Sequence, residues 1–127
     1  MITTTITVKT SYEGVHCFPG APDEVAYLRV PHRHIFNVGV EVEVFHNDRE
    51  LEFIMLKHRI NQWLQERFDS NGVWQMEHLS CEQVASKLAH YVHELAPDPT
   101  GTYVRYIRVS VDEDGENGAS VSFGGAC

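Results

Sequence analysis

The chain has 127 residues, 43% apolar and 22% charged, a balance that fits one folded domain and excludes a disordered chain. Its 18 carboxylates against 10 Lys and Arg give a net charge of −8, with no basic cluster to override it, which argues against nucleic acid as the main partner. No apolar run approaches the ~18 residues of a membrane span, and Met1-Ile2-Thr3-Thr4-Thr5 has neither the basic start nor the apolar block of a signal peptide, so a cytoplasmic protein without a membrane partner is expected.

Ile2, Thr4, Ile6 and Val8 alternate with polar neighbours and predict a half-buried strand. Pro19-Gly20-Ala21-Pro22 breaks the chain into a loop. Alternation returns from His34 to Phe45, with Phe36, Val38, Val40, Val42 and Val44 on one face and Glu41 and Glu43 on the other. That is a long strand with one wet face. Phe53, Leu56, Ile60, Trp63, Leu64 and Phe68 then recur at helical spacing, and Asp69-Ser70-Asn71-Gly72 is expected to end the helix. Ser80-Cys81-Glu82-Gln83 has the form of a capping box opening a second helix, whose apolar stripe is Val84, Leu88, Tyr91, Val92 and Leu95. Pro97 and Pro99 stop it. Tyr103 to Val111 predicts a third strand, Asp112 to Gly118 an acidic turn, and Ala119, Val121 and Phe123 a short fourth strand.

The order strand–strand–helix–helix–strand–strand argues for an α+β fold over residues 1–127, with a four-stranded antiparallel sheet carrying both helices on one face. Cys17, Cys81 and Cys127 form an odd set without C-x-x-C spacing, so neither a disulfide framework nor a thiolate zinc knuckle is expected.

Histidine is in mild excess, with eight in the chain. His32 and His34, two apart on a strand, point the same way and can reach one ion. Alone, the pair is a weak signal that reads more readily as two surface or half-buried histidines, so a third ligand is required. His16 is the candidate, and three neutral imidazoles with an open fourth position describe a catalytic-type zinc site.

With these residues in place, the sequence resembles the 6-pyruvoyl-tetrahydropterin synthase and 6-carboxytetrahydropterin synthase family. That family has a His after strand one and His-Gly-His-x-Phe opening strand two. Here stand His16 and His32-Arg33-His34-Ile35-Phe36. Leu51-Glu52-Phe53-Ile54-Met55-Leu56-Lys57 is similar to the segment leading into helix one. Leu79-Ser80-Cys81-Glu82-Gln83 is similar to the Pro-Thr-Ala-Glu-Asn opening of helix two, and Val109-Ser110-Val111-Asp112-Glu113 to the end of strand three. The resemblance covers residues 16 to 113. It implies a tunnelling fold, with subunits pairing sheets edge to edge into trimeric barrels that stack as a homo-hexamer. It also implies zinc on His16, His32 and His34 in a pocket between subunits, and a pterin- or purine-like ligand whose ring NH groups are held by Glu113. A carboxylate accepting two parallel N–H bonds suits that edge; without the resemblance, Glu113 reads as a solvated charge in an acidic turn.

The sequence departs from the family pattern in two places. The cysteine base that precedes the His-x-His in the family has no counterpart, because Ala26, Tyr27 and Leu28 stand there. The Leu-Asp-His before helix two is matched by Phe68-Asp69-Ser70, which keeps Asp69 and lacks the His. Met76-Glu77-His78 restores a carboxylate–imidazole pair, so His78 with Asp69 is the candidate catalytic pair, alongside Asp23 and Glu24 as other ionisable groups. Cys17, next to His16, is expected to point away from the metal as a structural thiol. His90 and His93 read as a solvated helix face. The implied function is a zinc-dependent lyase with altered or weakened chemistry. The alternative is an oligomer that binds a pterin, purine or nucleotide-like ligand without turnover.

Overall fold

The alternation of the first half of the chain folds into one long hairpin. In a computed structural model describing residues 2–125, strand β1 (Thr4–His16) pairs antiparallel with β2 (His32–Val44) along their full length, from Thr4 opposite Val44 to His16 opposite His32. Directly opposed residues point the same way and successive residues alternate. Every even-numbered residue of both strands therefore faces the same side. Val8, Phe36, Val38, Val40 and Val42 supply the apolar part of that face.

Helix α1 (Phe53–Phe68) buries Leu56, Ile60, Trp63, Leu64 and Phe68 against this face. Phe53, part of the expected stripe, is instead half exposed. The Glu52 carboxylate caps the helix by accepting from the amides of Ile54 and Met55. The capping box of α2 (Cys81–Leu95) forms as its sequence implies, with Ser80 Oγ accepting from the Gln83 amide and Gln83 Oε1 from the Ser80 amide. Val84, Ala85, Leu88, Ala89 and Val92 complete the core. No helix among the described residues is long and apolar enough to cross a membrane.

The sheet corrects the expectation of four antiparallel strands. It has six, in the order β3-β4-β1-β2-β5-β6, and it is mixed. The two additional strands are β3 (Asp69–Ser70) and β4 (Val73–Glu77), joined by Asn71-Gly72. Asn71 and Gly72 both have positive φ (55° and 83°), the two-residue hairpin geometry that Asn-Gly favours. The segment thus starts a hairpin where a simple helix stop was expected. Because α1 returns the chain across the sheet face, β4 enters beside β1 running parallel to it.

β5 (Ile107–Glu113) and β6 (Asn117–Phe123) complete the other edge. β5 begins at Ile107 rather than Tyr103, because Arg105 is drawn inward to 2% exposure. Its guanidinium meets Glu50 in two parallel bonds of 2.9 and 2.8 Å and also donates to the carbonyls of Glu43, Ala96 and Pro97. A side chain so held cannot keep strand alternation. Cys17 and Cys81 are free thiols, and Cys127 lies outside the described residues.

Candidate metal centre

The core face continues past the helices, and there its chemistry changes. β1 ends in Gly14 and His16, β2 begins with His32 and His34 opposite them, and β5 ends in Glu113 opposite Phe36. Sheet register alone therefore places three imidazoles and one carboxylate on one side at one end. The ligand atoms of His16, His32 and His34 all lie within 4.8 Å of one another.

Each ring has its Nδ1 against an oxygen that only accepts. His32 Nδ1 lies 2.9 Å from the Val30 carbonyl, His34 Nδ1 2.7 Å from Asp114 Oδ2, and His16 Nδ1 3.4 Å from the Leu79 carbonyl. Such partners fix a hydrogen on Nδ1 and turn the Nε2 atoms inward, where His34 Nε2 also lies 2.8 Å from Glu113 Oε2. Burial lowers the pKa of His16 below its ordinary value, outweighing the opposing effects of the Leu79 carbonyl and Glu113, so its ring is neutral and free to ligate. The Nε2 atoms of His32 and His34 are buried without a hydrogen-bond partner. Buried nitrogens left without a proton partner are costly, and a shared divalent cation would satisfy them. The donor set therefore fits a borderline metal ion.

Phe36 forms the floor, with its ring edge-on to His16 at 5.2 Å and to His34 at 5.9 Å. It reaches that position because Gly14 has no side chain: a Cβ there would lie 2.7 Å from the Phe36 ring. Asp114, at φ 60° in the β5–β6 turn, accepts from the Ile35 amide through Oδ1 at 2.8 Å while backing His34 through Oδ2. Sequence reasoning missed both Asp114 and Phe36 as site residues. The signal for Asp114 was Asp-Gly in the acidic turn, a pair suited to a left-handed tight turn.

A cleft of about 690 Å³ opens over this cluster, lined among others by Cys17, Leu28, His78, Cys81 and Glu113. The parallel pairing of β4 with β1 delivers His78 to it: the Cys17 amide donates to the Glu77 carbonyl at 2.9 Å, and Cys17 Sγ then lies 3.3 Å from His78 Nδ1. Contrary to the expectation that it turns away, Cys17, one residue past the end of β1, lines the cleft beside His78; the irregularity in the β1–β4 pairing lies on β4, where Met76 is the extra residue opposite Val15–His16. Cys81, under the α2 N-terminus, is 3.8 Å from Glu113 Oε1, and burial with that carboxylate pushes its thiol up to about 12. It is a neutral thiol at physiological pH.

The remaining candidates are not brought to the cleft. Asp69 lies on β3, where it raises the pKa of Tyr12 by charge and a hydrogen bond, an effect second to burial of that phenol. It does not meet His78. Asp23 is engaged by Arg29 at 2.8 Å, and Glu24 is exposed beside it in the 3-10 segment Asp23–Arg29. His90 donates to the Ser86 carbonyl of its own helix, and His93 packs edge-on to Phe123.

No protein-family model matches the sequence, and no curated protein matches it at a significant level. Solved structures do match. A catalytic-residue mutant of Plasmodium vivax 6-pyruvoyltetrahydropterin synthase, with a glutamate replaced by alanine, superposes with a TM-score of 0.67 at 15% identity, covering 98% of this chain and 99% of that one. Another structure of the Plasmodium vivax enzyme gives 0.64 at 16% identity over 98% and 99% of the two chains. An uncharacterized protein from Wolinella succinogenes gives 0.65 at 14% identity over 95% and 98%. At these identities the likeness is one of fold over essentially the whole domain: the chain has a 6-pyruvoyltetrahydropterin-synthase-like fold.

Proposed function

We propose that this protein is a metal-binding, tetrahydropterin-synthase-like protein that takes a pterin- or purine-like ligand in the cleft above His16, His32 and His34. The observation that carries the reading is the convergence of three imidazoles whose Nδ1 atoms are all held by oxygen acceptors. Zinc is the metal that the resemblance implies. A zinc ion there supplies Lewis-acid polarisation of ligand oxygens and acidifies a neighbouring C–H. Glu113, at the inner end of the cleft, suits the paired N–H groups of a pterin edge. The assembly consistent with this reading is a cytoplasmic homo-hexamer.

Leu28 lines the cleft and offers no proton acceptor, so the chemistry needs another base. His78, in contact with Cys17 at 3.3 Å, is the imidazole placed to exchange a proton with a ligand in that cleft. In the Plasmodium vivax enzyme a glutamate is a catalytic residue, which supports a reading in which a side chain other than cysteine serves the chemistry of this fold. The second reading, a binder without turnover, is favoured by the same Leu28 side chain.

Incubation with dihydroneopterin triphosphate, followed by product analysis and a thermal-shift measurement, separates the two. A raised Tm with slow release of a cleaved side chain supports a weakened lyase, and a raised Tm without product supports the binder. No change in Tm with any pterin contradicts both.

A further inference from the structure

The turn at the end of β4 is fastened, residue by residue, to the end of β1. It closes through the Leu79 amide, which donates to the Met76 carbonyl at 3.0 Å, and Glu77 enters it with φ 52°, a left-handed backbone that favours glycine. Such a conformation persists in another residue only where its surroundings over-determine it. Here those surroundings are His16 and Cys17. The Glu77 carbonyl accepts from the Cys17 amide at 2.9 Å, His78 Nδ1 meets Cys17 Sγ at 3.3 Å, and the Leu79 carbonyl lies 3.4 Å from His16 Nδ1.

The two carbonyl contacts fix the turn and would do so around any residue at position 78. The ring contact is different in kind. His78 is an exposed side chain, and Cys17 Sγ is the polar side-chain partner that its ring has among the described residues. The contact forms whichever of the two atoms carries the hydrogen, because a thiol both donates and accepts weakly. It occupies Nδ1 and leaves Nε2 as the nitrogen without a protein partner, on a side chain that lines the cleft.

We propose that Cys17 is a positioning residue for His78, holding the imidazole at the cleft with Nε2 left for the ligand. The proposal rests on the reading of His78 as the proton-exchanging group and deepens it. The residue next to one candidate metal ligand thereby orients the candidate base, so a single dipeptide sets both. A ring ordered beforehand spares the proton transfer a search over rotamers.

The test compares wild type with Cys17→Ala, Cys17→Ser and His78→Ala in the full chain. Order of the His78 ring is read by NMR relaxation of its ring carbons, whose signals are assigned by their absence from His78→Ala. The expected order parameter is near ~0.85 in wild type, below ~0.6 in Cys17→Ala and largely restored in Cys17→Ser, whose hydroxyl can still meet Nδ1. Turnover of dihydroneopterin triphosphate is measured alongside. Cys17→Ala should lower kcat on the order of 10²-fold, the scale of a misplaced reacting group, with KM unchanged and partial recovery in Cys17→Ser. A ring equally ordered in wild type and Cys17→Ala, or already averaged in wild type, overturns the assignment. So does turnover that falls in His78→Ala but not in Cys17→Ala. Ring order that follows residue 17, in a protein without turnover or with turnover indifferent to His78→Ala, upholds Cys17 as the anchor of the ring and refutes the proton-exchange reading instead.

Discussion

His34 and Asp114 are joined by a 2.7 Å contact between Nδ1 and Oδ2, across 80 residues of sequence. The same carboxylate accepts from the Ile35 amide, and the Asp114 amide donates to the Ile35 carbonyl at 2.7 Å, so the β5–β6 turn is clamped to the start of β2. Those bonds, the Ile35 amide first and His34 second, hold the Asp114 carboxyl below its ordinary pKa. One side chain thus fixes the backbone next to a candidate ligand and the tautomer of that ligand.

Asp114→Ala should therefore weaken metal binding by about 10–100-fold, the usual effect of removing a carboxylate behind a ligating histidine. Competition titration with a chelator measures it. Affinity equal to wild type would mean that the ring is held without Asp114.

Gly14→Ala tests the floor of the site. The added methyl collides with Phe36, which sits beneath His16 and His34. Overpacking of this kind typically costs about 1–3 kcal/mol, and displacement of Phe36 should also lower metal affinity. Pairing Gly14→Ala with Phe36→Leu should recover part of both losses, read by chemical denaturation and chelator competition. An unperturbed Gly14→Ala protein would contradict the account of the floor.

How far the sequence discloses this architecture follows from the range of each interaction. Period-two alternation in residues 34–45 and three-four spacing in 53–68 are local, and the strand and helix they predict are present. The β3–β4 hairpin was hidden because Asp69-Ser70 is too short for alternation and follows a helix directly. Among the site residues, His32 and His34 are legible from two-residue spacing. His16 needed the resemblance or the β1–β2 register, which opposes it to His32. The approach of Cys17 to His78 depends on a parallel pairing and a bulge, neither of which leaves a pattern in the chain.

Buried Arg105 and partly buried Glu50 form an ion pair at the opposite end of β2 from the histidines. Arg105→Ala strands a carboxylate and should destabilise the fold by about 3–5 kcal/mol, measured by urea denaturation. The guanidinium bonds are the first cause holding Glu50 below its ordinary value of 4.5, with burial opposing them. A depressed folded-state pKa contributes stability above the unfolded value, and that contribution fades as pH falls below about 4.5 through the folded value. Wild type should accordingly lose stability through that window. Glu50→Gln should lose less over the same range, and an identical acid profile in the two proteins would refute the assignment.

The chemistry hinges on His78 and Leu28. Turnover of dihydroneopterin triphosphate should be slow in wild type and should fall further in His78→Ala, with metal content unchanged. A positioned base contributes about 10²–10⁴-fold, so Leu28→Cys should raise the rate if the missing base alone limits it. Fast wild-type turnover that persists in His78→Ala and Cys17→Ala would place proton transfer elsewhere.

The most direct measurement for the central claim is the metal content of purified protein by elemental analysis, in wild type and in His16→Ala, His32→Ala, His34→Ala, His90→Ala and His93→Ala. The three-imidazole centre predicts near-stoichiometric divalent metal in wild type and in the His90 and His93 variants, and its loss in the other three. Equal metal in all six proteins, or none in wild type after supplementation with zinc, would contradict it.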